Sequence, residues 1–235
     1  MVGWGAPTAF PKSHVRSGHA ASGSQGRRAS GARHVSTIVE ELEVGAVTLE
    51  LERPADAESL LDEKAFADDE YLPYWAERWA SGVALAEHVA TLALEGERVL
   101  ELGCGLGLPS LVAARRGAEV VATDWSSDAI ALLERNAARN GVRLTSAVAD
   151  WREPDAFVQG DPFGLVLAAD VLYEARNVDP ILALLERLAV PALVADPGRR
   201  HAGGFLDAGG ERWDITTEEH ELLPLGGIHL LLRPS

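Results

Sequence analysis

The chain of 235 residues is 47% hydrophobic, carries a net charge of -15 and contains a single cysteine. This length predicts one domain plus appendages, and one cysteine excludes an internal disulfide or a cysteine-ligated zinc and favours a reducing, cytoplasmic location. Five of the 21 basic residues lie in residues 1–39, which hold no acid, so the remainder has 16 basic against 36 acidic residues. Such a balance disfavours nucleic acid as a partner and favours a cationic protein segment or small molecule.

The first 36 residues are rich in Gly, Ser, Ala and Arg and show no hydrophobic period. This composition buries too little apolar surface to offset the entropy of ordering, so we predict a disordered basic tail over residues 1–36 and a folded domain over residues 37–235. Two other interpretations stay open. The segment is Arg- and Ser-rich without acids, as organelle transit peptides are, or the true start lies downstream near Val35.

Two runs that alternate apolar and acidic residues, IVEELEV (38–44) and AVTLELE (46–52), flank Gly45. This pattern predicts a β-hairpin with one buried face. The acidic stretch that follows, DAESLLDEKAFADDE (56–70), predicts a short helix and a loop. No apolar run in the chain approaches the roughly 20 residues of a membrane-spanning helix, so we expect no membrane partner.

Helical and strand patterns then alternate along the chain. SGVALAEHVATLAL (81–94) has apolar residues at helical spacing and opens on Ser81, its predicted N-cap. Strands and helices follow in turn: RVLEL (98–102), PSLVAARRG (109–117), EVVAT (119–123), SSDAIALLERNAARNG (126–141), RLTSAVA (143–149), GLVLAA (164–169), a helix near 178–188 and PALVA (191–195). Two closing strands are predicted in ERWDITTEE and GIHLLLR. The alternation predicts an α/β fold with a mostly parallel sheet covered on both faces.

A Gly-rich turn joins the first of these strands to its helix in VLELGCGLGLPS (99–110). Glycines let the backbone turn tightly and approach a ligand, and the helix N-terminus presents free N–H groups. Such turns also serve NAD and FAD sites, but those are spaced G-x-G-x-x-G, whereas this one is G-x-G-x-G. Glu101 before the turn would repel a pyrophosphate, and it suits a ligand with an ammonium group and no phosphate, such as S-adenosylmethionine.

Acidic side chains also follow the next three strands. Asp124 lies about 20 residues past the Gly-rich turn, where a carboxylate accepts hydrogen bonds from two ribose hydroxyls. Asp150 and Trp151 follow the third strand, where an acid can accept from an adenine amino group and an indole can cover the base. Asp170 follows the fourth strand, with Tyr173 close behind it. One such acid alone is typical of a helix N-cap or a solvated strand end, but four in succession predict a ligand site at this edge.

Together these motifs resemble class I, seven-strand S-adenosylmethionine-dependent methyltransferases. Within that class they resemble methyltransferase family 16, which includes protein-lysine methyltransferases and nicotinamide N-methyltransferase-like bacterial proteins. The residues that carry the resemblance are PYWAERWASGVALA (73–86), ELGCGLG (101–107), Asp124, Asp150 with Trp151, DVLY (170–173) and ADPGR (195–199). The last of these is similar to the branch that modifies the electron-transfer flavoprotein beta subunit.

The resemblance covers residues 38–235 and implies a Rossmann-like, seven-stranded, mostly parallel sheet with helices on both faces, plus the N-terminal hairpin. It implies S-adenosyl-L-methionine as the cofactor and a methyl-transfer site lined by Asp170 and Tyr173. The implied cofactor contacts are Trp79, Glu101, Gly103, Gly105, Gly107, Asp124, Asp150 and Trp151. For Trp75, four residues before Trp79, packing in the core and a site role both stay open.

We therefore expect an enzyme that methylates a lysine of a protein substrate and acts as a cytoplasmic monomer. Two alternatives stay open: a small-molecule N-methyltransferase of the nicotinamide type, and a binding module that keeps the cofactor fold without catalysis. A nucleic-acid methyltransferase is disfavoured because the fourth strand ends in DVLY, not in Asn/Asp-Pro-Pro-aromatic. The seven histidines form no closely spaced pair, so we expect no metal site. We expect Cys104 to fill space between glycines, with no covalent chemistry.

Overall fold

The structure is a computed structural model, and it describes residues 36–57, 60, 74–157 and 160–234. The predicted tail and nearly all of the acidic stretch 56–70 lie outside the described residues and stay predictions. Within the described parts, no helix is long and apolar enough to cross a membrane.

Strands and helices alternate through the described residues, as the sequence predicts. They are β1 (Thr37–Val44), β2 (Val47–Pro54), α1 (Ala80–Thr91), β3 (Arg98–Leu102), α2 (Leu108–Arg115), β4 (Glu119–Asp124), α3 (Ser127–Arg139), β5 (Thr145–Val148), β6 (Leu165–Ala169), α4 (Ala175–Leu188), β7 (Ala192–Asp196), α5 (Ala202–Gly210), β8 (Asp214–Glu218) and β9 (Gly227–Leu232). Two short 3-10 helices span Tyr74–Ala76 and Pro154–Ala156.

Seven strands form one sheet in the order β5-β4-β3-β6-β7-β9-β8. The strands from β5 to β7 are parallel, and β9 runs antiparallel to both β7 and β8. This arrangement confirms the predicted α/β, mostly parallel seven-stranded sheet. The chain builds outward from β3 to β5 and then returns to β6 on the other side of β3. Open parallel sheets bind ligands at the carboxyl edge of such a switch point, here between β3 and β6.

Alternate residues of the central strands supply two hydrophobic cores, because successive side chains of a strand face opposite ways. Val99 and Leu167 pack in one core with α1, α2 and α3, while Leu100 and Val166 pack in the other with α4 and α5. All four side chains are fully buried. The helices therefore cover both faces of the sheet, as predicted.

The N-terminal hairpin of β1 and β2 is confirmed, and its buried face belongs mainly to β2. The outer edge of β2 lies against α3 through two side-chain amides. Asn136 accepts from the Glu52 backbone N–H at 2.7 Å and donates to the Glu52 carbonyl at 3.0 Å. Asn140 repeats the pattern with Glu50 at 2.9 and 2.7 Å. These amides take the place of a neighbouring strand, so the free edge of β2 is hydrogen-bonded.

The predicted N-cap of the first helix is wrong. Helix α1 begins at Ala80, with Trp79 as its N-cap residue and no side-chain cap. Ser81 is instead fully buried in the first turn, and its hydroxyl donates to Asp170. The helix after β4 does have a serine N-cap, since Ser126 Oγ accepts from the Ala129 N–H.

Helix α5 is absent from the sequence prediction. Its sequence AGGFLDAGG has four glycines, which disfavour a helix by roughly 1 kcal/mol each relative to alanine. Phe205 in its middle is fully buried in the core of α4 and α5. Tertiary packing of this ring thus outweighs the low local helix propensity.

Candidate active site

A cleft of about 290 Å³ opens at the carboxyl edge of the sheet, at the predicted switch point. A second cavity of about 210 Å³ adjoins it, and the two share Asp124, Trp151 and Tyr173 among their lining residues. Asp170 lines the main cleft and Asp150 lines the adjoining cavity.

Nine of the ten predicted site residues line the main cleft: Trp79, Glu101, Gly103, Gly105, Gly107, Asp124, Trp151, Asp170 and Tyr173. Asp150 lines the adjoining cavity instead. Its carboxylate accepts hydrogen bonds from the Arg152 side chain at 2.8 and 2.9 Å, and this pairing holds the pKa of Asp150 below its ordinary value. The structure therefore brings together nine predicted residues and places the tenth next to them.

Two positions of the Gly-rich turn restrict a larger residue, Gly107 by a close contact and Gly103 by a tight one. Gly107 has φ 79°, and a Cβ there would lie 2.2 Å from Cδ1 of Leu133 on α3. Gly103 has φ 65°, and a Cβ would lie 3.3 Å from the Trp151 ring. Positive φ values disfavour side chains in any case. The turn thus forms a bare backbone surface along the cleft.

Glu101 at the carboxyl end of β3 is almost fully buried. Its carboxylate accepts from the Ser110 backbone N–H at 3.0 Å and from the Ser110 hydroxyl, in the first turn of α2. Burial raises the pKa of Glu101 to about 8, although the Ser110 hydrogen bonds oppose the shift. A cation in the cleft would favour the ionised carboxylate, because opposite charges stabilise each other at low dielectric.

Asp124 at the end of β4 is also buried, and its carboxylate accepts hydrogen bonds from three backbone N–H groups. Gly105 and Ser126 donate at 2.9 Å, and Trp125 also donates. Burial raises the pKa of Asp124, and these hydrogen bonds oppose the rise. A carboxylate has about four acceptor sites, so Asp124 retains acceptor capacity toward the cleft that it lines.

Asp170 directly follows β6, and residues from two other parts of the chain donate hydrogen bonds to its carboxylate. Arg199 Nε donates to its Oδ1 at 2.7 Å, and Ser81 Oγ donates to its Oδ2 at 3.0 Å. Its φ of 57° is rare for a residue with a side chain. Unusual backbone angles of this kind cluster at functional sites. The Asp170 carboxylate, which accepts these two hydrogen bonds, lines the main cleft.

Aromatic rings line the cleft beside Asp170. The Tyr74 ring lies 5.4 Å from the Tyr173 ring and 6.3 Å from the Trp79 ring, measured between centroids. Trp79 Nε1 donates to the Tyr74 carbonyl at 2.8 Å, and the Arg199 guanidinium lies 5.2 Å from the Trp79 ring. Burial raises the pKa of Tyr173, so its phenol is neutral near pH 7.

The comparisons with known proteins agree with this geometry. The sequence model of the family described as lysine methyltransferase matches residues 74–200, more than half of the chain. The chain belongs to the lysine methyltransferase family.

Relatives of this family member are recognisable in sequence and in structure. The electron transfer flavoprotein beta subunit lysine methyltransferase of Danio rerio is 31% identical over 134 residues, which cover 54% of this chain and 51% of that protein. A protein N-lysine methyltransferase of the same species is 34% identical over 119 residues, covering 47% and 54%. The chain thus spans about half the length of these relatives. The 16S rRNA N2 G1207 methyltransferase of T. Thermophilus has a TM-score of 0.58 at 15% identity, covering 84% of this chain and 51% of that one, and shares the fold.

Sequence reasoning assigned no site role to Tyr74 and Arg199, which line this lysine methyltransferase cleft, or to Ser81, which is buried and donates to Asp170. All three lie in motifs that the sequence analysis quotes, since Tyr74 and Ser81 belong to PYWAERWASGVALA and Arg199 ends ADPGR. Ser81 was interpreted as a helix cap because a serine before an apolar run is typical of one. The motifs therefore include these residues, but the contacts that the residues make in the site depend on the tertiary fold.

Two other sequence interpretations concern Trp75 and Cys104. Trp75 packs against the core of α1, α2 and α3 and also lines the cleft. The structure thus supports both roles that the sequence left open for it. It does not share a helical face with Trp79, because the 3-10 helix ends at Ala76. Cys104 is buried, and burial raises the pKa of its thiol, which keeps it protonated.

Proposed function

We propose that this protein transfers a methyl group from S-adenosyl-L-methionine to a side-chain nitrogen of a lysine in a protein substrate. The observation that carries the proposal is the main cleft, which is lined by the Gly-rich turn, by strand-end acids and by Asp170 with its two hydrogen-bond donors close by. The chain that forms this cleft belongs to the lysine methyltransferase family. Both relatives described above are named as acting on lysine in proteins, which favours a protein over a nicotinamide-like small molecule.

The residues of the cleft fit this cofactor. Gly103 and Gly107 present bare backbone at positive φ, and the buried Glu101 is suited to an ammonium group. Asp124 retains acceptor sites for ribose hydroxyls, and the Trp151 ring can cover the adenine. Asp150 stays a predicted acceptor for the adenine amino group, with Arg152 as a competing donor.

When bound, the cofactor supplies a methyl group on a sulfonium that is already a good leaving centre. The protein then has to position the acceptor nitrogen and exclude water. Asp170 would accept a hydrogen bond from the acceptor N–H, which orients the nitrogen lone pair and stabilises the positive charge that develops there. Because its carboxylate is already paired with Arg199, we assign Asp170 to orientation and charge stabilisation, and the acceptor proton leaves to solvent.

Tyr173 would form the wall of the acceptor pocket together with Tyr74. A neutral phenol beside the acceptor adds a polar contact without an extra charge. We further propose a cytoplasmic location, which the buried thiol of Cys104 supports, and a protein partner with a basic segment, which the acidic surplus of the chain supports.

A labelled-methyl transfer assay tests the proposed function. The purified protein is incubated with labelled cofactor and a bacterial lysate that has been separated into protein and small-molecule fractions. We expect label on lysine in the protein fraction, identified by mass spectrometry of the labelled band, and far less label with Asp170→Asn. Label confined to the small-molecule fraction would contradict the protein substrate, and cofactor binding without transfer to either fraction would contradict the enzyme.

A further inference from the structure

We propose that Ser81 and Arg199 are positioning residues, which hold the Asp170 carboxylate in the orientation that methyl transfer requires. This inference rests on the proposed function, because it concerns how the same site is built. Each residue donates to a different oxygen of Asp170, at 3.0 Å from Ser81 and 2.7 Å from Arg199.

Two donors on two oxygens define the plane of a carboxylate, whereas one donor leaves it free to rotate. The donors come from different parts of the fold, the first turn of α1 and the loop after β7. Ser81 is fully buried and Asp170 is 8% exposed, so water competes weakly for the hydrogen bond between them. The carboxylate therefore has one defined orientation while retaining acceptor sites on both oxygens.

Arg199 is itself held in place. Its backbone N–H donates to Asp196 Oδ1 at 2.7 Å, and the Gly198 N–H donates to the same oxygen at the same distance. Asp196 is fully buried at the end of β7. The guanidinium also lies 5.2 Å from the Trp79 ring, within the range of a cation–π interaction. A side chain constrained at both ends is suited to orienting another group.

The charge of Arg199 adds a second effect on Asp170. A guanidinium donor at 2.7 Å makes a charge-assisted hydrogen bond, which is shorter and stronger than one between neutral groups. Lysine could supply the charge but not the same planar geometry. We therefore expect Arg199→Lys to retain more turnover than Arg199→Gln, and Ser81→Thr to retain more than Ser81→Ala.

The experiment measures kcat and KM for the acceptor, and cofactor Kd by calorimetry, in these four variants. Displacement of a reacting group by about 1 Å costs on the order of 100-fold in rate. We expect kcat to fall roughly 10-fold in Ser81→Ala and about 100-fold in Arg199→Gln. Cofactor Kd should stay within about 3-fold of wild type, and the conservative variants should recover part of the loss.

Controls come from matched groups elsewhere in the chain. Arg212 pairs with Glu186 at 3.2 Å on the surface, and Thr91 Oγ1 bonds the His88 carbonyl at the other end of α1. Arg212→Gln and Thr91→Val should leave kcat unchanged. The melting temperature of every variant is measured, so that a loss of folded protein is separated from a loss of turnover.

Combining each change with Asp170→Asn distinguishes positioning from a general structural effect. Residues that act only through Asp170 should cause no further loss of residual labelled transfer in that background. Unchanged kcat in Ser81→Ala and Arg199→Gln, or losses that add fully to that of Asp170→Asn, would overturn the inference alone. A wild-type protein without any transfer would count against the proposed function first, and the inference would fail with it.

Discussion

Among the described residues, two buried carboxylates accept hydrogen bonds from arginine side chains, and one of them lines the main cleft. Glu52 on β2 lies against α3, where Arg135 and Arg139 donate to its two oxygens at 3.1 and 3.2 Å. Asp170 has the same exposed fraction as Glu52, 8%, and lines the main cleft. Burial and an arginine partner therefore do not by themselves distinguish a structural carboxylate from a functional one.

What differs is the set of groups around each carboxylate. Burial alone would raise the pKa of Glu52, but the bonds from Arg139 and Arg135 outweigh it and lower the pKa. Asn136 forms hydrogen bonds with both the backbone N–H and the backbone carbonyl of Glu52, so these contacts hold the hairpin against α3. Asp170 has a single arginine, a strained backbone and acceptor sites toward the cleft. We therefore expect the contact between the hairpin and α3 to contribute to stability, and the cleft to bind ligands.

The largest expected effect comes from Asp170→Asn. The amide retains the shape of the side chain but loses the charge that stabilises a developing cation, so we expect kcat to fall by about 100- to 1,000-fold. Cofactor affinity should change little, because no cofactor contact is assigned to Asp170. Turnover is measured by labelled transfer and affinity by calorimetry. Full activity in this variant would remove Asp170 from the mechanism.

Asp124→Ala, in the same cleft, should weaken cofactor binding more than it lowers turnover. Loss of this charged acceptor is expected to weaken cofactor binding by about 10- to 100-fold for each hydrogen bond lost, since a hydrogen bond to a charged group is worth roughly 1.5–3 kcal/mol. Calorimetric titration with the cofactor checks this. Because Asp124 also accepts from Gly105 and Ser126, Asp124→Asn serves as a milder control that retains one oxygen. Unaltered affinity in both variants would show that the ribose lies elsewhere.

At the hairpin junction, Asn136→Ala should lower stability without lowering turnover. The change leaves the N–H and carbonyl of Glu52 without their partner in a buried place, which costs about 1–3 kcal/mol in the free energy of unfolding. Asn140→Ala is the matched control, because Asn140 makes the same two bonds to Glu50 where solvent can replace them. Urea unfolding of both variants should show a smaller loss for Asn140. Equal losses would mean that burial does not set the difference.

The same contrast explains what the sequence could predict. The strand-end acids are recognisable because each follows an apolar run and so has a local signal, and the structure places Glu101, Asp124 and Asp170 at the edge of the sheet. The bond between Ser81 and Asp170 joins residues 89 positions apart, and no local pattern encodes it. Docking of the hairpin on α3 through Asn136 is equally non-local, since the amide lies 84 residues from Glu52.

A further expected effect concerns the pH dependence of stability. Burial raises the pKa of Glu101 from 4.5 to about 8. Between these values the folded chain retains a proton that the unfolded chain has released, so the free energy of unfolding falls as pH rises, by up to about 1.4 kcal/mol per pH unit. Glu101→Gln cannot ionise and should lack this fall, while the contributions of other groups cancel between the two proteins. Urea unfolding without cofactor at about pH 5.5, 6.5 and 7.5 measures the difference. A difference that stays constant with pH would show that Glu101 is ionised in the folded cleft throughout this range, as an ordinary carboxylate is.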